Sequence, residues 1–119
     1  MSTQPTPTVT RADVERVVRR DFPAEPVSEV LALLDGYGVE AWQREPDRVQ
    51  LAALKLATGS LDHLRCQVER AKCDYRDVLA PAEYPGYTKR MFRIAALPEN
   101  EQQRIIEGDW KQYRDWLTR

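Results

Sequence analysis

The chain has 119 residues, 31% of them charged and 42% hydrophobic, which suits one folded domain of ordinary composition. Its formal net charge of -1 excludes the broad basic surface of a polyanion-wrapping or membrane-surface protein. No apolar run approaches the roughly 20 residues needed to span a bilayer, and a chain of this size buries about two-thirds of its unfolded surface without needing staples.

Residues 1–8 are rich in Pro, Thr and Ser and read as a disordered N-terminal tail. They carry neither the basic nor the apolar segment of a signal peptide, so a cytoplasmic location is expected. Two cysteines fit that reducing compartment better than a disulfide scaffold. Residues 9–119 read as a single helical domain. Thr10 caps the first helix, with Asp13 at its third position completing a capping box. Val14, Val17, Val18 and Phe22 recur at helical spacing until Pro23 stops them. Pro26 opens a second helix whose stripe is Val27, Val30, Leu31 and Leu34, and Gly36-Tyr37-Gly38 ends it. Residues 39–45 form a turn around Trp42.

The third helix begins near Pro46, with Asp47 at its positive end. Val49, Ala52, Ala53 and Leu56 share one face, while Leu51 and Leu54 lie opposite. A helix apolar on two sides belongs between neighbours. Gly59 ends it and Ser60 caps a fourth. There Leu61, Leu64, Val68, Ala71, Tyr75 and Val78 repeat with the rhythm of an antiparallel seam, until Pro81 breaks or kinks the helix. Residues 82–88 read as a loop, 89–97 as a short basic helix, and Ile106, Trp110, Tyr113 and Leu117 as the stripe of a last helix. No segment shows the period-two alternation of a strand. The expected fold is all-α: a compact bundle of five to six helices around the third and fourth.

Three clusters carry candidate chemistry. His63, Cys66, Arg70, Cys73 and Asp77 fall on one face of the fourth helix. His63 and Cys73 are ten positions apart, about 15 Å along the axis, so one ion cannot gather both. Cys66 and Cys73 are separated by about 10 Å of rise, too far for a disulfide. His63 and Cys66 lack an orienting group and an oxyanion site for a catalytic dyad. The expectation is that a second layer of helices buries both thiols as small hydrophobes. The second cluster is Tyr84, Tyr87, Lys89, Arg90 and Arg93, with Met91 and Phe92 adding apolar surface. Aromatics among basic residues stack on bases or anchor a protein interface. The third is Trp110, Tyr113 and Trp116, where the first two fit the core stripe and Trp116 its edge. The five glycines are scattered as helix stops and turns, not gathered into a phosphate-cradling loop.

The run Arg44-Glu45-Pro46-Asp47-Arg48-Val49-Gln50-Leu51-Ala52-Ala53-Leu54-Lys55-Leu56-Ala57, then Gly59, Leu61, Leu64, and Ala71-Lys72-Cys73-Asp74-Tyr75-Arg76-Asp77-Val78-Leu79-Ala80 with Glu83-Tyr84-Pro85, resembles a group of short uncharacterised bacterial helical proteins over roughly residues 37–86. The resemblance implies a compact helical unit and carries over no activity.

The functional expectation is a non-catalytic protein-binding module, of the small bacterial regulatory, adaptor or immunity type, with no enzyme activity and no cofactor or metal. Its partner is another protein of unstated identity, engaged through Tyr84, Tyr87, Arg90 and Arg93. Self-association into a homo-oligomer stays open, and no membrane is involved. The alternative is a nucleic-acid-associated helical protein using segment 84–93, disfavoured by the charge balance. A weaker one is a thiol-based redox sensor at Cys66 or Cys73.

Overall fold

The computed structural model describes residues 4–119, and its regular backbone there is helical throughout, with no strand. Seven α-helices follow in order: α1 (Arg11–Asp21), α2 (Val27–Leu34), α3 (Pro46–Ala57), α4 (Leu61–Cys73), α5 (Arg76–Glu83), α6 (Pro85–Lys89) and α7 (Glu99–Thr118), with a short 3-10 turn at Ile94–Ala96. The fold is the expected all-α bundle. Helix α3 is its centre, packed against α1, α4 and α5. Both predicted faces are buried, Val49, Ala52 and Ala53 on one and Leu51 and Leu54 on the other. Among the described residues no helix is long and apolar enough to cross a membrane.

Local chemistry explains most helix starts. The Thr10 hydroxyl accepts from the Asp13 amide at 3.4 Å, and the Asp13 carboxylate accepts from the Thr10 amide at 2.9 Å. This closes the capping box that sequence spacing predicts. The Ser60 hydroxyl accepts from the His63 amide at 3.3 Å, and Pro46 occupies the first turn of α3. Between α3 and α4 the chain reverses through Thr58 and Gly59, both at positive φ (50° and 80°). The conformation costs Gly59 nothing and strains the β-branched Thr58.

Three expectations about the second half are corrected. Residues 61–81 do not form one helix. Asp74 has extended backbone at φ -157°, and its carboxylate accepts from the Arg76 amide at 3.1 Å. An aspartate bonded to the backbone two residues on makes a turn of its own and restarts the chain as α5. Pro81, expected to break or kink the helix, does not break it: it sits inside α5, which runs on to Glu83. Residues 82–88 are not a loop, because the Asp109 carboxylate from α7 accepts from the Gly86 and Tyr87 amides at 3.0 and 2.8 Å. Those are the orphan donors that open α6, and a capping group supplied by another helix leaves no local signal. Residues 89–97 are not a basic helix: only Ile94 in that stretch is buried, so no apolar face exists to hold one.

The expected disordered tail comprises residues 1–8. Residues 1–3 lie outside the described residues. Residues 4–8 have no helix, yet they lie against the body: Pro7 is buried and the Tyr84 hydroxyl donates to the Pro5 carbonyl.

At the other end, Trp116 and Leu117 pack on the core. Arg20 of α1 donates to the Trp116 carbonyl at 2.6 Å, and its guanidinium stands 5.2 Å from the Trp116 ring. The arginine satisfies a C-terminal helix carbonyl and stacks on an aromatic face at once. Trp110 is half-buried with Arg114 over its ring, at the edge of the core and not within it.

Candidate partner-binding groove

The floor of the candidate site is built on a buried ion pair. Arg48 of α3 reaches across to α5, donating to both Glu83 oxygens at 2.8 and 2.7 Å. Its remaining amino group donates to Glu45 at 3.0 Å. Glu83 is only 2% exposed. The bidentate geometry satisfies it fully, which is the condition under which a buried carboxylate is tolerated. The hydrogen bond to Glu83 drives the Arg48 guanidinium well above its usual range, against the opposing effect of burial.

Beside this pair the surface opens into a cavity of about 420 Å3, lined by Tyr75, Leu79, Tyr84, Tyr87 and Met91 together with Gln4, Pro5 and Thr6. Tyr84 is 5% exposed, and its hydroxyl is spent on the Pro5 carbonyl. Burial, reinforced by the Glu83 charge, pushes the Tyr84 phenol up to about 12. Desolvation does the same to Tyr37, also to about 12, whose hydroxyl donates to the Arg44 carbonyl at 2.9 Å.

The four candidate anchors therefore part company. Tyr84 belongs to the wall of the groove, and Tyr87 is half-buried and lines it. Arg90 and Arg93 are exposed and do not line it; Arg90 folds back to donate to the Gly86 carbonyl at 3.1 Å. Next to them, Met91 is 57% exposed and Phe92 is 95% exposed. The Arg48–Glu83 pair, the Asp109 cap and the docked residues 4–8 were not expected from sequence. Pairs separated by 35 and 23 positions announce themselves by no spacing rule.

The cysteines are corrected outright. Cys66 and Cys73 are both exposed, with no bond between them. The buried side of α4 is the seam of Leu64, Val68 and Ala71, and among the described residues no second layer covers the face that carries the thiols. Among the described residues no group of His, Cys, Asp or Glu is placed to hold a metal ion. The chain matches no family model, no curated protein and no solved structure. The surface alone carries the functional argument.

Proposed function

We propose that this chain is a non-catalytic protein-binding module, of the small bacterial regulatory, adaptor or immunity type, that engages its partner through the α5–α6 groove and the Met91-Phe92 turn beyond it. One observation carries the reading. Phe92 stands almost fully in water next to an exposed Met91, and Met91 is itself part of the groove. Scattered exposed apolar residues are normal, but an aromatic and a thioether side by side at the mouth of an apolar groove form a contiguous patch. Such a patch, flanked in sequence by the exposed Arg90 and Arg93, has the make-up of an interface anchor.

The test is photo-crosslinking in the native cell from a reactive residue placed at position 92, with position 66 on exposed α4 as control. The expected result is a discrete protein adduct from position 92 and none from position 66. Equal labelling from both, or none from 92, would overturn the reading.

The second reading is nucleic-acid association. Lys89, Arg90 and Arg93 are exposed beside Phe92, which offers a face for base stacking. The net charge of -1 confines such binding to the non-specific range, about 10⁻⁴ to 10⁻⁶ M at physiological salt. A sub-micromolar complex that survives that salt would move this reading to first place.

A further inference from the structure

The groove already holds a ligand of a kind. Gln4, Pro5 and Thr6 form part of its lining, Pro7 next to them is buried outside it, and the Tyr84 hydroxyl donates to the Pro5 carbonyl. The rings of Pro5 and Pro7 fix their own φ near -65° and drive Gln4 and Thr6 into extended backbone. The segment is thus a preformed extended strand with little conformational entropy left to lose. Aromatic-lined grooves recognise such strands by packing proline rings on aryl faces. A tyrosine hydroxyl donating to a peptide carbonyl, as Tyr84 does here, fixes the strand along them.

The rest of the groove matches the same chemistry. Tyr75, Leu79, Tyr87 and Met91 line it as well, Met91 exposed, the two tyrosines half-buried and Leu79 buried. Its charges are already spent on each other: Arg48 on Glu83 and Glu45, Arg76 on Asp74. A floor whose charges are internally satisfied favours an uncharged ligand over a phosphate or an acidic peptide.

We propose that this groove is the receptor for an extended, proline-bearing segment of a partner protein, and that residues 4–6 occupy part of it in cis as a competing ligand. The proposal rests on the protein-binding reading above and adds the chemistry of the partner. A second copy of the chain would offer only the same segment, and the tethered one outcompetes it at an effective concentration in the millimolar range. A partner with a longer or better-fitting strand, reaching Tyr75 and Met91, displaces residues 4–6.

The experiment uses the full chain and a synthetic peptide copying residues 1–9, followed by amide NMR shifts. A double variant, Pro5→Gly with Pro7→Gly, weakens the tethered competitor. The peptide is expected to shift Tyr84 and Tyr87, and to half-saturate the variant at about tenfold lower concentration than the native chain. Adding Tyr84→Phe to the variant should cost about three- to tenfold in affinity, the size of one neutral hydrogen bond. Equal half-saturation in native and variant chains would overturn the proposal. So would equal binding of a peptide with both prolines changed to alanine, or shifts confined to another face. A native dimer that dissociates in the variant would mean exchange between copies and would also overturn it. Should the double variant fail to fold, Pro5→Gly alone serves, since Pro5 is exposed. Failure of the peptide with the position 92 adduct intact sinks this proposal alone, whereas loss of the adduct sinks the broader reading.

Discussion

Helix α3 and the stretch 90–97 are both rich in apolar residues, seven of twelve and six of eight, and have opposite fates. In α3 seven of the twelve residues are buried, and even its glutamine is used: Gln50 donates to the Leu34 and Tyr37 carbonyls at 2.9 and 3.0 Å and accepts from Arg11 at 2.9 Å. In 90–97 only Ile94 is buried, and Met91 and Phe92 face water. The difference lies in the neighbours. Helices α1, α4 and α5 close on α3, while Met91 and Phe92 stay uncovered. The lesson is that apolar content alone does not bury a segment; a packed partner on each face does.

That contrast is open to attack by mutation, beginning where the effect is largest. Leu54→Ala should cost about 2–5 kcal/mol, and Leu64→Ala the same, read as a lower denaturant midpoint. A neutral Leu54→Ala would remove α3 from the centre. Next, Glu83→Gln should cost about 2–3 kcal/mol by leaving Arg48 without its main partner. That is below the figure for a fully buried pair because the Arg48 side chain remains 19% exposed and keeps Glu45. Asp109→Ala should cost about 1–2 kcal/mol by uncapping α6, and should speed hydrogen exchange at Gly86 and Tyr87 before the rest of the chain. Protection unchanged at those two amides would mean that α6 holds itself. At the low end, Phe92→Ser should move stability by less than about 0.5 kcal/mol while removing the position 92 contact. A large drop in melting temperature would show that Phe92 packs in the fold, and the contrast between the two regions would fail.

Alkaline pH probes the buried tyrosines from a different side. The folded-state pKa of Tyr84 and of Tyr37 is raised from 10.0 to about 12. Between those values the unfolded chain has lost the phenolic proton that the folded chain still holds. Stability should therefore be full below pH 10 and fall as pH rises towards 12. Tyr84→Phe should flatten that fall, and an identical alkaline profile would place its hydroxyl in water.

What could be read from the sequence was whatever acts within one turn of backbone. The Thr10–Asp13 box, the Ser60 cap, Pro46 in the first turn of α3 and the two faces of α3 all stand as spacing predicts. The illegible parts are those in which distant residues supply the decisive bond. The Asp109 carboxylate makes a helix of Pro85–Lys89, and Arg48 fixes Glu83 from another element. Asp74 is the exception: its turn is local, but the apolar rhythm of Val68, Ala71, Tyr75 and Val78 runs straight through it and hides the break. The thiols were misjudged because Cys is usually buried, and a residue's average habit says nothing about which helix face lacks a neighbour. Within segment 84–93 the sequence did not show which side chains turn inward. The tyrosines were expected to point outward, and Tyr84 points in to hold a carbonyl 79 positions earlier.

The bond from Arg20 to the Trp116 carbonyl spans 96 positions of sequence. During synthesis at about 5–20 residues per second, Arg20 emerges about 5–20 s before its acceptor exists. For that interval the charge stays hydrated, and the core surface later covered by Trp116 and Leu117 is bare. Meanwhile the six helices before α7 lack the contacts it supplies, and the closing helix arrives as a latch. Ribosome-bound chains stopped before position 116 should be the species that chaperones bind.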